Sequence, residues 1–268
     1  MILPLLALAA AAQAAPSADE ARFAECAKLV KSDAARAESS ANDWLAHGGG
    51  LHARQCLGLA YIAQERWAPA AIVFEQAARE AESRQDPRRA DFWVESGNSW
   101  LAANDGAKAR TAFDAALGTA ALAPQMRGEV QFDRARADVL LNDLAGARID
   151  IDKGLALVPQ DAFGWYLSAA LAMRQEALPR AQQDIAKAVQ LAPDDPDVLL
   201  LAGNIAGASG ENEAARGFFT RVLKEAPDSP AGKSAQAALA ENSVDDAAPV
   251  APPPESAPST VPAAPPKR

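Results

Sequence analysis

The sequence predicts an all-α fold, a superhelix (solenoid) of stacked helix hairpins, and three observations predict it. One arrangement of small and large residues recurs at a spacing of 34: Trp165, Ala181, Ile185, Ala188 and Pro193 are answered by Leu199, Ala215, Phe219, Val222 and Pro227. Within each copy, apolar residues fall at helical spacing in two runs separated by a polar break, Arg174-Gln175-Glu176 in one and Ser209-Gly210-Glu211 in the other. A proline closes each copy, where it cannot continue a helix but is tolerated in the first turn of the next. A register kept that strictly marks a stacked repeat.

Small residues where the two helices cross, Ala169 and Ala181, then Gly203 and Ala215, let the backbones approach, and Ile185 or Phe219 is expected to fill the gap between units. The pattern resembles the tetratricopeptide repeat, whose signature is Trp, Leu-Gly and Tyr on the first helix, then Ala, Phe, Ala and Pro on the second. Carried upstream, the register finds Ala147, Ile151, Gly154 and Pro159 in a unit with a weak first helix. It then finds Trp93, Gly97, Trp100, Ala109, Phe113 and Ala116, and before them Leu57-Gly58 with Tyr61, Ala70, Phe74 and Ala77. The steps from Ala70 to Ala109 and from Ala109 to Ala147 are 39 and 38, so these first two units carry extra residues. Longer second helices and the loops 84–87 and 118–124 are expected to hold them.

Taken in order, residues 1–15 are an apolar run ending in Ala12-Gln13-Ala14, which reads as a cleaved signal peptide although no Lys or Arg precedes it. Residues 16–50 read as a degenerate first repeat, with Phe23, Ala24 and Ala27 on one helix, Ala37, Ala41 and Trp44 on the next, and a Gly48-Gly49-Gly50 turn. Five repeats follow at 51–86, 87–124, 125–159, 160–193 and 194–228. Their helices are expected at 51–64 and 68–83, 88–103 and 106–117, 125–141 and 144–157, 161–173 and 178–191, and 196–208 and 211–225. Asp86-Pro87, Asp161 and Asp195-Pro196 mark helix starts, and Asn104-Asp105-Gly106 and Asn142-Asp143 mark turns. Residues 229–241 hold a polar capping helix, which a terminal repeat needs to cover its stacking face. From 242 to 268 the composition shifts to Pro, Ala, Ser and Val, which cannot offset its ordering entropy, so a disordered tail is expected.

With 26 basic against 35 acidic residues and a formal charge of −9, the chain gains nothing from phosphate backbones, and nucleic acid is excluded as a partner. After signal cleavage no integral membrane segment is expected. The two cysteines, Cys26 and Cys56, fall in the first helices of neighbouring repeats. In an exported protein a bridge between them is the expectation, with two buried free thiols as the alternative. No metal site, cofactor or catalytic centre is expected. His47 and His52 lack metal-ligand spacing and a third partner. Paired acids such as Asp150 with Asp152, or Asp194 with Asp195, read as solvated helix faces or helix starts.

The resemblance implies a protein-binding groove lined by the first helices. Carried over by register, its positions give Leu59, Asn98, Phe132, Arg136, Val139, Phe163, Tyr166, Met173 and Asn204 as candidate partner contacts. The middle would present an apolar and aromatic patch, as partner-binding surfaces do. For Phe132 and Val139 groove and core stay open alternatives; Phe163 and Tyr166 are read as groove residues. Glu129 and Asp133 occupy slots that a clamp for acidic C-termini fills with basic residues, which sets that mode aside. The implied protein is a monomeric adaptor or scaffold of the bacterial envelope, in the periplasm, binding a protein or peptide. A self-associating structural subunit is the alternative.

Overall fold

The computed structural model describes residues 17–120 and 122–246, so the signal-peptide reading and residues 247–268 of the expected tail lie outside it. α1 (Ala18–Ser32) and α2 (Ala34–Ala46) form an irregular first hairpin. The next three hairpins are α3 (Gly50–Ala63) with α4 (Trp67–Ser83), α5 (Arg89–Ala102) with α6 (Gly106–Leu117), and α7 (Pro124–Leu140) with α8 (Leu144–Leu157). Two more follow, α9 (Ala162–Arg174) with α10 (Leu178–Leu191) and α11 (Pro196–Ala208) with α12 (Asn212–Glu225). A last helix, α13 (Pro230–Asp246), packs on α11 and α12. It runs five residues into the segment expected to be disordered, because neither proline nor glycine interrupts the chain before Pro249.

Each of the five regular hairpins turns in the same way. Glu65, Asn104, Asn142, Glu176 and Gly210 take left-handed conformations, with φ of 55°, 58°, 59°, 57° and 78°. The following N–H then donates to the carbonyl five residues earlier: Arg66 to Tyr61, Asp105 to Trp100, Asp143 to Asp138, Ala177 to Ala172 and Glu211 to Ala206, all at 2.8–2.9 Å. This closure satisfies carbonyls the helix end would leave orphaned. Asp105 and Asp143 go on to cap the next helix, accepting from the Lys108 and Gly146 N–H groups.

Apolar clusters follow one another along the stack, each shared by neighbouring hairpins, so the core runs along the axis. In three hairpins a phenylalanine of the second helix lies over a glycine of the first: Phe74 on Gly58, Phe113 on Gly97, Phe219 on Gly203. A β-carbon at any of these glycines would fall inside the ring. The ring therefore locks its own hairpin, where the sequence reading had placed Phe219 in the gap between units.

The third and fourth units depart from this plan, the fourth with Ile185 and Ala169 at its two lock positions. In the third, Ile151 and Ala135 stand at the two lock positions, and the ring comes instead from Phe132 on α7, 1 % exposed and seated against Gly154 of α8 and Gly164 of α9. Phe132 is thus core, and its reading as a groove contact is corrected. Two glycines that leave room for a ring draw it inward.

Two further expectations change. α4 does hold the extra residues of its unit, at 17 residues against 14 in α8, α10 and α12. α6 has only 12; the surplus lies in the following loop and in α7, which has 17 residues rather than being weak. Pro124 presets its first turn, and the Arg127 guanidinium anchors the loop by donating to the Leu117 and Thr119 carbonyls, both at 2.8 Å. Asp150, read as solvated, is 3 % exposed. Arg134 grips both its oxygens at 2.6 and 2.7 Å and reaches Asp114 of α6 at 2.6 Å. Buried Asp184 likewise accepts from Ser168 and Arg180. A buried carboxylate persists only with such partners.

At the amino-terminal end Cys26 of α1 and Cys56 of α3 form a disulfide. Gly48 and Gly50 supply positive φ in the turn before α3, and Trp44 packs flat on Gly49.

Candidate partner-binding groove

α5 touches α7, α7 touches α9, and α9 touches α11, whereas no comparable contact joins successive second helices. The stack therefore curves with the first helices inside, and their free faces form a groove. Ile151 and Ala135, which stand where other units have the ring and its glycine, border a hollow in this groove. A cavity of about 230 Å³ opens between α7 and α9, lined by Ala135, Arg136, Val139, Ile151, Leu167, Ala170, Leu171 and Arg174. Its floor is apolar, and a guanidinium stands on each helix.

Of the residues expected in the groove, Arg136 and Val139 line this cavity, and Phe163 and Tyr166 lie one turn of α9 before its lining residues Leu167 and Ala170. Val139 is half-buried and also supports the core around Phe132. Phe163 is 46 % exposed and stacks on Tyr166, with ring centroids 6.1 Å apart and planes 15° from parallel. Met173 is half-buried and packs into the cluster of α9 and α10. Leu59 is half-buried against the first core cluster, and Asn204 is exposed on α11; neither borders the cavity. Leu167, Leu171 and Arg174 were not read from the sequence as groove residues. Their spacing from Phe163, at helical intervals along α9, is the signal that finds them.

Charge is divided along the first helices. Asp91 with Glu95 on α5 and Glu129 with Asp133 on α7 are two acidic pairs of the first helices. Burial pushes the Glu95 carboxyl up from its ordinary value, and Asp91 adds to the effect. Burial also pushes Asp133 up, although Arg136 donates to it at 2.9 Å and Asn98 bonds it, while Glu129 repels. Burial raises the Tyr166 hydroxyl too, with Asp197 and Asp195 of the next repeat acting in the same direction. Arg174, in the last turn of α9, has no ion-pair or hydrogen-bond partner for its guanidinium among the described residues.

His47 is exposed and donates from Nδ1 to the Asp43 carbonyl at 2.7 Å, while His52 accepts from Arg88 at 3.1 Å. Among the described residues no group of three or more His, Cys, Asp or Glu is placed to hold a metal ion. No described helix is long and apolar enough to cross a membrane.

A tetratricopeptide-repeat family profile matches residues 172–239, from the end of α9 into α13. A search of curated protein sequences found no match. Among solved structures, PilW, described as a widely conserved type IV pilus biogenesis factor, superposes with a TM-score of 0.67 at 19% identity, covering 83% of this chain and 100% of that one. PilF of Pseudomonas aeruginosa gives 0.64 at 16% identity over 82% of this chain and 97% of that one. YrrB, described as a tetratricopeptide-repeat protein with an unusual peptide-binding site, gives 0.51 at 17% identity over 83% and 100%. Likeness at these identities is likeness of fold. The tetratricopeptide-repeat family is thus matched over residues 172–239, and over about four fifths of the chain the fold is the helical solenoid of these solved structures.

Proposed function

We propose that this protein is a monomeric adaptor of the bacterial cell envelope, resident in the periplasm, that holds a partner protein through a peptide or helix laid in the groove of its first helices. The observation that carries the reading is the arginine-edged apolar cavity between α7 and α9, one turn of α9 from the stacked rings of exposed Phe163 and half-buried Tyr166. Exposed aromatic and apolar area rimmed by charge is what partner surfaces offer. The apolar first 15 residues support export, and the Cys26–Cys56 disulfide suits an oxidising compartment. The shared fold with PilW, described as a pilus biogenesis factor, also supports an envelope role.

A photo-crosslinking residue at Ala170, inside the cavity, tests it against one at Ile149, which is 54 % exposed on the second-helix side. In intact cells the first should give a discrete adduct and the second should not. Equal labelling from both positions, or none from 170, removes the groove as the site. Adducts between copies of the chain, with scattering mass that rises with concentration, would replace the adaptor with a self-associating subunit.

A further inference from the structure

We infer that the groove selects a segment in which one large apolar side chain lies about one helical turn from a carboxylate. The inference rests on the groove reading above and specifies its partner. The cavity holds about 230 Å³, below the roughly 300–1,000 Å³ of small-molecule sites, and opens to the groove, so it takes the end of one side chain. Six of its eight lining residues are Ala, Val, Ile or Leu, so that side chain is apolar.

The charge follows from the two residues left. Arg134, Arg148 and Arg180, on and beneath the same helices, are held by Asp150, Asp152 and Asp184. Among the described residues no carboxylate holds Arg174, and it stands at the cavity lip on a chain with a formal charge of −9. Arg136, across the cavity, gives a hydrogen bond to Asp133 and leaves its side chain 45% exposed. Two guanidiniums over an apolar hollow favour an anion beside an apolar group, and a guanidinium fork matches a carboxylate. Asp91 and Glu95 of α5 and Glu129 and Asp133 of α7 add negative charge to the first helices ahead of the cavity, where a carboxylate is disfavoured.

The test is selection from a random twelve-residue peptide library displayed on phage, with the full mature chain as bait. Enriched peptides should carry Leu, Ile, Met or Phe with Asp or Glu three or four residues away. Ala170→Trp, which plugs the cavity, should abolish their binding. Arg174→Glu should weaken them about tenfold and, in a fresh selection, should replace the acid with Lys or Arg. Peptides lost on Ala170→Trp but without acid enrichment overturn this inference and leave the groove reading standing. Peptides indifferent to Ala170→Trp, or an empty selection, overturn both. An Arg174→Gln variant with an unchanged helical spectrum guards against misfolding, and it must also relax the acid preference.

Discussion

Two kinds of hairpin share this stack. In α3 with α4, α5 with α6, and α11 with α12, a phenylalanine seats on a glycine and closes the space between the helices. In α7 with α8 and in α9 with α10 an isoleucine and an alanine stand in the lock positions, buried acids appear on α8 and α10, and the Phe132 ring and a cavity lie where the two hairpins meet. Asp138 takes the register position that holds Tyr61 and Trp100 in the first two full repeats. The difference teaches that the locked units hold the shape, while the two neighbouring units without the lock gain a hollow and a polar seam without losing their place in the array.

The largest effect separates a moved lock from a groove contact. Phe132→Ala should destabilise by about 3–5 kcal/mol, as Phe113→Ala should, because each empties a fully buried ring site. Phe163→Ala, half exposed, should cost under about 1 kcal/mol. Urea unfolding read together with hydrogen exchange of α7–α9 measures this, since repeat arrays need not unfold in one step. A small penalty at Phe132 would return it to the groove.

The amino-terminal hairpin has neither lock and is held by the disulfide instead. Replacing Cys26 and Cys56 by serine removes a bond that spans 30 residues. The chain-entropy account gives a loss of about 2–4 kcal/mol. Protease cleavage near the Gly48–Gly50 turn should become fast while the fragment from α5 onward stays intact. Uniform loss of protection along the stack would mean that the end hairpin supports the whole array.

The polar seam predicts an unusual response to acid. Burial, with Asp150 and Asp143 nearby, raises Asp138 to about 6 against the counter-effect of Arg110 and Arg134. Arg110 lies 3.1 Å from Oδ1 but out of line for a hydrogen bond, so that oxygen is unsatisfied. The folded value stands above the unfolded one, so protonation favours the folded state. The gain is complete below about pH 4 and is lost as pH rises through 6. Glu95 and Asp133 shift the same way; Asp86, drawn down to about 2 by its bonds to Arg88, acts oppositely only at lower pH. Melting temperature should therefore rise from pH 7.5 to 5, and Asp138→Asn should flatten the rise, worth about 1–3 kcal/mol. A flat wild-type profile would mean that Asp138 is solvated.

Helices and turns were legible because they depend on neighbours in sequence: the 34-residue register, the polar breaks and the Asn-Asp starts all act within one unit. What was not legible depends on residues in other helices. Nothing near Phe132 announces that Gly154 and Gly164, 22 and 32 residues on, will make room for its ring. Asp150 reads as a solvated acid until Arg134, on the facing helix, closes on it. Arg174 resembles any helix-end cation until Leu167 and Leu171 place it at the edge of a hollow.

The smallest effect concerns what all the regular hairpins share. The left-handed turn residue is glycine only at Gly210, while Glu65 and Glu176 hold φ of 55° and 57° against the preference of residues with a β-carbon. Replacing either by glycine relieves that strain but frees the unfolded chain, so the net gain should be about 0.5–1 kcal/mol. If the two kinds of hairpin differ only in their interiors, Glu65→Gly beside a Phe–Gly lock and Glu176→Gly beside the cavity should stabilise equally. A gain at Glu65 with none at Glu176 would show that the turn next to the cavity is held by more than its own backbone. The loop hydrogen bond from Gln175 to the Leu144 carbonyl, 3.3 Å away on the preceding hairpin, would then be the place to look.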